Sequence, residues 1–72
     1  MQVGKRIKDY IQSAGISQTW LAKKTGIPVA KLNLALNGKR RITFEEYEYI
    51  CWALNVDASR FVIPKEPENR DA

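Results

Sequence analysis

Residues 17–38 of the 72-residue chain carry the sequence SQTWLAKKTGIPVAKLNLALNG, which predicts two short helices joined by a turn. Ser17 is a preferred N-cap and predicts the start of the first of these helices. Gly26 suits the left-handed backbone conformation that ends a helix. Pro28 suits the first turn of the next helix, because its missing N–H costs nothing there. Asn37-Gly38 is a strong turn signal that should end the second helix.

The start of a helix is marked three times along the chain by the same local pattern. An apolar residue precedes a capping residue, and a second apolar residue follows four places after the cap. The cap accepts a hydrogen bond from an unpaired N–H, and the apolar pair packs across the helix end. Thr43 and Glu46 also have the spacing of a capping box. The three patterns are Ile16-Ser17 with Leu21, Ile42-Thr43 with Tyr47, and Val56-Asp57 with Phe61, and they predict the starts of the second, fourth and fifth helices.

A first helix is predicted upstream, because apolar residues between Val3 and Ala14 recur at spacings of three and four. Gly15 should end it. No stretch alternates apolar and polar residues convincingly, so no strand is expected. The sequence therefore predicts an all-α fold in which five short helices pack around one core. The residues expected to face that core are Ile7, Ile11, Leu21, Ala22, Ile27, Leu32, Ala35, Phe44, Tyr47, Ile50, Leu54, Val56 and Phe61.

Charge divides the chain into a basic body and a short tail. Residues 1–63 hold ten Lys and Arg against five Asp and Glu, a net charge of +5. Residues 64–72 hold two basic and three acidic residues, two prolines and a single apolar residue, and are expected to form a flexible tail. The predicted domain therefore spans residues 1–63, and its positive charge favours a polyanionic partner.

The residue types present exclude most catalytic and metal-binding chemistry. The chain has no histidine and a single cysteine, Cys51, so it offers neither a Cys-His nor a Ser-His-Asp arrangement. A zinc site needs several Cys or His ligands. One predicted helix start carries three carboxylates, those of Glu45, Glu46 and Glu48. The helix dipole favours negative charge there, so these residues are interpreted as a solvated face of the helix. We expect a buried Cys51 and no enzyme activity, cofactor, metal or small-molecule ligand.

Two short helices separated by a glycine-containing turn of about four residues are typical of a helix-turn-helix. The chain resembles the phage-repressor/Cro family (XRE-like, lambda-repressor-like) over residues 3–62. The resemblance implies a five-helix DNA-binding domain whose third helix enters the major groove, usually as a dimer on a two-fold-related operator. The motifs that carry it are Ser17-Gln18, Leu21-Ala22, Thr25-Gly26-Ile27, Leu32, Asn37-Gly38-Lys39-Arg40 and the later Ile50-x-x-Ala53-Leu54-x-Val56.

The resemblance implies contacts to DNA phosphates at two places around this motif. Gln18 lies at a predicted helix N-terminus, where backbone amides and the helix dipole favour phosphate. The other contacts follow the third helix as a loop with three consecutive cations. Taken by itself such a loop is often only a solvated basic surface, but its place directly after the third helix favours phosphate binding. The implied residues are Gln18, Asn37, Lys39, Arg40 and Arg41.

The resemblance also implies base contacts along the third helix. Lys31 suits guanine O6 and N7, and Asn33 suits adenine. Val29, Ala30 and Leu34 offer only apolar contact, for example with thymine methyl groups. The leading interpretation is a sequence-specific, DNA-binding transcription regulator of phage or bacterial origin. The alternative is a protein-interaction module that keeps the fold and binds a protein through the apolar face of the third helix.

Trp52 follows two core positions and is expected to point partly outward. It either packs against the end of the chain at Phe61-Val62-Ile63 or contacts a second copy in a homodimer. No apolar run approaches the roughly 20 residues that span a bilayer, and a single cysteine fits a reducing compartment. We therefore expect a cytoplasmic, nucleoid-associated protein whose partner is double-stranded DNA and which does not contact a membrane.

Overall fold

A computed structural model describes residues 3–62 of the chain, and this part contains four α-helices. They are α1 (Val3–Ala14), α2 (Gln18–Thr25), α3 (Val29–Leu36) and α4 (Phe44–Leu54). The all-α prediction is confirmed for these residues, which contain no strand. None of the four helices is long and apolar enough to cross a membrane. The predicted tail, residues 64–72, lies outside the described residues.

The helix ends follow the capping residues that the sequence indicates. The Ser17 hydroxyl accepts a hydrogen bond from the Trp20 N–H at 3.0 Å and so caps α2. Thr43 and Glu46 form the complete capping box at the start of α4, with both reciprocal hydrogen bonds present. Gly26 ends α2 in the left-handed conformation, with a φ of 80°. Each of these ends is set by groups a few residues apart, so the local sequence predicts it.

The predicted fifth helix is wrong, because residues 58–61 form turns rather than an α-helix. Asp57 does act as a cap. Its carboxylate accepts hydrogen bonds from the hydroxyl and the N–H of Ser59, and these bonds lower the pKa of Asp57. The backbone that follows closes with i to i+3 bonds, such as the Arg60 N–H on the Asp57 carbonyl at 2.9 Å. The cap is therefore present, but the α-helix that it predicts is not.

Contacts with other parts of the domain hold this segment. The Tyr47 hydroxyl donates to the Ala58 carbonyl, which is the acceptor that the Val62 N–H would use in an α-helix. That N–H bonds the Ser59 carbonyl instead, at 3.3 Å. Phe61 packs edge to face against Tyr47, with ring centroids 6.5 Å apart. The segment is thus held by the Tyr47 hydroxyl, by the Arg6 guanidinium on the Phe61 carbonyl and by the aromatic contacts of Phe61, rather than by α-helical hydrogen bonds.

The core lies where α2 packs against α3 and α4, and where α1 packs against α3. Leu54 and Val56, both predicted to face the core, are half-buried at its margin. Leu36 and Ala53 are buried although the sequence did not single them out. The other predicted core residues, Phe44 excepted, are buried, namely Ile7, Ile11, Leu21, Ala22, Ile27, Leu32, Ala35, Tyr47, Ile50 and Phe61.

Phe44 is wrongly predicted as a core residue, since its side chain is 72 % exposed. It lies three residues before Tyr47, so the two project from similar sides of α4, which is why the spacing favoured burial. Phe44 is, however, the first residue of α4. It lines an open groove of about 920 Å³ together with Val3 and Val62. Its side chain therefore lies at the wall of this groove rather than in the core.

Cys51 is buried in α4, as the sequence predicts. Burial raises the pKa of its thiol, so the neutral form dominates at neutral pH and the reactive thiolate is disfavoured. Within residues 3–62, no three Asp, Glu or Cys side chains come together as a group able to hold a metal ion. The thiol therefore acts as a small apolar side chain in the core.

Helix α1 approaches the backbone of α3 closely at Gly4. A Cβ atom at Gly4 would lie 2.2 Å from the carbonyl oxygen of Ala35 and 3.2 Å from its carbonyl carbon. Both are backbone atoms, which cannot move aside unless α3 itself shifts. The missing side chain of Gly4 is therefore what allows the two helices to pack at this distance.

Gly4→Ala should destabilise the domain by about 1–3 kcal/mol, the usual cost of overpacking a tight contact. The sign of this change in the free energy of unfolding is informative, because at an unconstrained helix position alanine would stabilise the fold by about 0.5–1 kcal/mol relative to glycine. Urea denaturation followed by circular dichroism measures the difference. The control is Ser13→Ala, at an exposed position of α1, which should change the free energy of unfolding by less than about 0.5 kcal/mol. An unchanged or increased stability of Gly4→Ala would contradict the close approach.

Candidate nucleic-acid interface

Helix α3 has one buried face and one exposed face. Leu32, Ala35 and Leu36 are buried. The opposite side is open, with Val29 at 47 % and Leu34 at 44 % exposure. The exposed side carries all five residues predicted for base contact, Val29, Ala30, Lys31, Asn33 and Leu34. The register of α3 is therefore the predicted one, and these side chains are accessible to a partner.

The turn between α2 and α3 fixes the direction in which this exposed face points. The Gly26 N–H bonds the Ala22 carbonyl at 2.8 Å while the backbone turns through its left-handed conformation. The Thr25 hydroxyl donates to the Leu21 carbonyl at 2.8 Å and accepts from the Ile27 N–H at 3.3 Å. One threonine side chain thus ties the end of α2 to the turn. Ala22 is buried and small, which lets α2 and α3 pack closely.

Four polar side chains form a continuous chain of hydrogen bonds, the polar network; one lies in each of α1, α2 and α3, and the fourth is Asn37, the C-cap of α3. Lys8 Nζ donates to Asn37 Oδ1 at 2.6 Å, and Asn37 Nδ2 donates to Asn33 Oδ1 at 3.3 Å. Asn33 Nδ2 then donates to Gln18 Oε1 at 3.1 Å. Gln18, Asn33 and Asn37 were predicted as contact residues, whereas Lys8 was missed. Its position directly after the buried Ile7, beside the apolar stripe of α1, was the only signal in the sequence.

The loop after α3 carries the three predicted phosphate-binding cations in two different settings. The Lys39 N–H bonds the Leu34 carbonyl at 2.8 Å, so the loop begins directly at the end of α3. Lys39 and Arg41 are exposed. Arg40 is half-buried, and its guanidinium donates to both carboxylate oxygens of Glu46, at 3.1 and 3.3 Å. Two exposed cations and one paired cation therefore lie next to α3.

Two helices packed around a glycine turn, the second with an accessible face and a basic loop behind it, form a helix-turn-helix. A family model of the Cro/C1-type HTH DNA-binding domain matches residues 6–59. The chain belongs to this family. The resemblance inferred from the sequence motifs is thereby confirmed, and the domain is a DNA-binding one. No curated protein and no solved structure gives a significant match to the chain.

Glu46 connects the basic loop of this Cro/C1-type domain to the start of α4. Its carboxylate accepts two hydrogen bonds from Arg40 and one from the Thr43 N–H at 3.0 Å. The Arg40 hydrogen bond, and after it the Thr43 backbone bond, hold the pKa of Glu46 below its ordinary value of 4.5. The same carboxylate therefore completes the capping box and anchors the middle of the basic loop.

Trp52 lies on the outer face of α4 and is 65 % exposed. The Lys24 ammonium lies 5.2 Å from the centroid of its indole ring, a cation–π distance. Phe61 packs edge to face against Tyr10 and Tyr47 rather than against Trp52. Phe61 therefore does not cover the indole, and a contact between Trp52 and a second copy of the Cro/C1-type domain stays a prediction.

Glu46→Gln should remove the pH-dependent stabilisation by Glu46 while keeping the capping box, since glutamine also serves at that position. A carboxyl group whose folded pKa is lowered stabilises the fold fully above its unfolded pKa, near 4.5. That stabilisation is lost as the pH falls through the lower, folded pKa. At neutral pH the variant should be less stable by about 1 kcal/mol, because both partners are partly exposed and solvent screens the pair.

Urea denaturation at a series of pH values measures this effect as the difference between the variant and the unmodified protein. The difference should shrink as the pH is lowered below about 4. Glu48→Gln, at an exposed position of α4, is the matched control. A difference for Glu46→Gln that is the same at every pH, or no larger than in the control, would contradict the role of the Arg40 pair.

Proposed function

We propose that this Cro/C1-type domain is a sequence-specific, DNA-binding transcription regulator whose α3 lies in the major groove. The observation that carries the proposal is the exposed face of α3, flanked by groups suited to phosphate. Gln18 lies beside it at the start of α2, and the exposed Lys39 and Arg41 follow its C-terminal end. A recognition helix needs this combination, because phosphate contacts fix its position while its outer side chains meet the bases.

The phosphate contacts are assigned to both sides of α3. Gln18 is the first residue of α2, where unpaired backbone N–H groups and the helix dipole favour an anion. Lys39 and Arg41 supply exposed positive charge. Arg40 uses two guanidinium N–H groups on Glu46 and has others left for a phosphate oxygen. The proposed phosphate contacts are Gln18, Asn37, Lys39, Arg40 and Arg41.

The base contacts are assigned to the exposed side chains of α3. Lys31 and Asn33 are its polar members, and they suit guanine and adenine respectively. The apolar members, Val29, Ala30 and Leu34, suit the methyl groups of thymine. We propose that the operator therefore combines a few hydrogen-bonded bases with thymines along the same groove.

We propose further that the domain binds as a homodimer to a two-fold-related operator, in the cytoplasm of a bacterial cell or a phage host. In such a complex two α3 helices occupy successive major grooves about 34–36 Å apart. The exposed indole of Trp52 supports a protein contact, since exposed apolar groups often mark interfaces. The net charge of +5 on residues 1–63 adds a general attraction to the phosphate backbone.

Selection from a pool of random DNA followed by mobility shift tests the proposed function. The protein should enrich a shared motif and bind it at least about 1,000-fold more tightly than random DNA at physiological salt. DNA from upstream of the protein's own gene is the first natural sequence to examine for that motif. A pool that never converges, with equal affinity for all sequences, would contradict sequence-specific regulation.

Lys39→Ala and Arg41→Ala should weaken binding to every DNA sequence alike, because phosphate contacts are independent of the base. Each lost contact should reduce the slope of log affinity against log salt by roughly 0.9. Lys5→Ala is the matched control, since Lys5 pairs with Asp9 on α1 and is not among the proposed contact residues. Arg40→Ala should also reduce the slope of log affinity against log salt. It should destabilise the fold as well, because it removes the two hydrogen bonds from Arg40 to Glu46. Unchanged slopes in all three basic-loop variants would refute the phosphate assignment.

A second candidate function is supported by the apolar part of the exposed α3 face. Val29 and Leu34 are nearly half exposed on the helix that should read DNA. Exposed apolar side chains that form a patch often mark a protein interface. The alternative is therefore a domain that binds a protein through this face of α3.

Leu34→Ala separates the two candidates. If Leu34 meets a thymine methyl group, the variant should lose on the order of 1 kcal/mol of binding at one operator position. Binding to random DNA and thermal stability should hardly change, because Leu34 is exposed and makes no phosphate contact. Val62→Ala, which also shortens an exposed apolar side chain, is the control. Normal operator binding together with loss of a protein partner or of the homodimer would favour the alternative function.

A further inference from the structure

The polar network has a single direction. Each bond is donated toward the next residue in the order Lys8, Asn37, Asn33 and Gln18. No amide of the polar network donates in the opposite direction, toward Lys8. Each amide accepts with its oxygen and donates with its nitrogen, so turning one amide over breaks the bonds on both of its sides unless its neighbours turn as well. The direction therefore belongs to the four residues as a unit.

Lys8 is the residue that sets this direction. Rotating a carboxamide by 180° exchanges its oxygen and its nitrogen with little change in shape, so three linked amides alone have two nearly equivalent arrangements. An ammonium group has only donors, so it binds the Asn37 oxygen and cannot bind the Asn37 nitrogen. With that oxygen engaged, Asn37 turns its nitrogen to Asn33, and Asn33 turns its own nitrogen to Gln18.

We propose that Lys8 is a positioning residue that orients the amides of Asn37, Asn33 and Gln18 for contact with DNA. This inference rests on the proposed function, in which Asn33 meets a base and Gln18 meets a phosphate. Lys8 acts through these side chains, from a helix that supplies none of the proposed contact residues. It thereby determines on which side Asn33 presents its free N–H and its free oxygen lone pair, and which groups Gln18 leaves free.

The hydrogen-bond donors and acceptors that the network leaves unused match the proposed DNA partner of each amide. Asn33 has used one of its two N–H donors on Gln18 and one oxygen lone pair on Asn37. One donor and one acceptor remain, the pair that complements N7 and the N6 amino group of adenine in the major groove. Guanine presents two acceptors there, so the same amide discriminates against it.

Gln18 shows the same match at the other end of the network. Its oxygen accepts from Asn33, so both N–H groups of its side-chain amide remain for other partners. A phosphate oxygen accepts hydrogen bonds and donates none. In the reversed network Gln18 would use an N–H on Asn33 and turn its oxygen toward the phosphate, which is repulsive.

The orientation of the network is testable in the protein without DNA. Side-chain amide resonances of Asn33, Asn37 and Gln18 in nitrogen-15 NMR spectra should shift and broaden in Lys8→Met. Lys8→Arg should restore them, because a guanidinium also has donors only. Lys5→Met is the matched control, since it removes another lysine of α1 that pairs with Asp9 outside the network. Unchanged Asn33 and Gln18 resonances in Lys8→Met would overturn the proposal.

The consequence for DNA is tested on sites that the unmodified protein selects from a random pool. The adenine read by Asn33 is the one at which Asn33→Ala loses base preference. In Lys8→Met the preference for that adenine, over guanine and over 7-deazaadenine, should fall about fivefold or more. The salt slope should match that of Lys5→Met, and Lys8→Arg should recover the preference.

Two other outcomes of this experiment have distinct meanings. A slope reduced by roughly 0.9 beyond the Lys5→Met control, with adenine preference intact, would show that Lys8 binds a phosphate directly and would overturn the inference. Failure of the unmodified protein to select any sequence would instead overturn the proposed function. The NMR comparison would still decide whether Lys8 orients the amides, so the two failures are distinguishable.

Discussion

Helix α3 is only eight residues long, and an isolated helix of that length is not stable in water. Its existence depends on packing against α1 and α2, with Leu32, Ala35 and Leu36 buried. Gly4 permits the contact with α1, because any side chain there would collide with the backbone of α3 at Ala35. The exposed face is what this packing leaves over, so the interactions that stabilise α3 also decide which residues a partner can touch.

The parts of the fold that the sequence predicts are those decided by neighbours along the chain. Thr43 finds its partner Glu46 three residues away, so the capping box was visible in the sequence and is present in the structure. The cap at Asp57 was equally visible, yet turns follow it rather than an α-helix, and contacts such as that of the Tyr47 hydroxyl with the Ala58 carbonyl hold them. Phe44 was misplaced as well, since its apolar side chain and its spacing from Tyr47 do not reveal that the first residue of α4 lies at an open groove. A local signal predicts where a helix begins, but not whether distant groups let it continue.

In the candidate site, too, local features were predictable from the sequence and contacts between distant residues were not. Helical periodicity around Leu32 was enough to predict which side of α3 is exposed, because the period of a helix is fixed. The partners of its polar side chains were not predictable, since Lys8 lies 29 residues from Asn37 in the sequence. The pairing of Arg40 with Glu46 was missed as well, because the sequence showed a run of three cations and gave no sign that one of them was engaged.

The composition of the α3 face makes the orientation of a single amide important for specificity. A good bidentate contact to a base discriminates by about 1–3 kcal/mol, so the base contacts proposed for Lys31 and Asn33 would together supply about 2–6 kcal/mol per domain. Specific sites are typically preferred over random DNA by about 4–10 kcal/mol. One copy would reach only the lower part of that range, whereas two copies on a symmetric operator, at about 4–12 kcal/mol, would cover all of it, which favours the proposed homodimer. If α3 reads bases as proposed, through two polar side chains in each copy, a loss of orientation at Asn33 removes up to half of the hydrogen-bonded discrimination. The apolar neighbours Val29 and Leu34 offer no hydrogen bond to replace it.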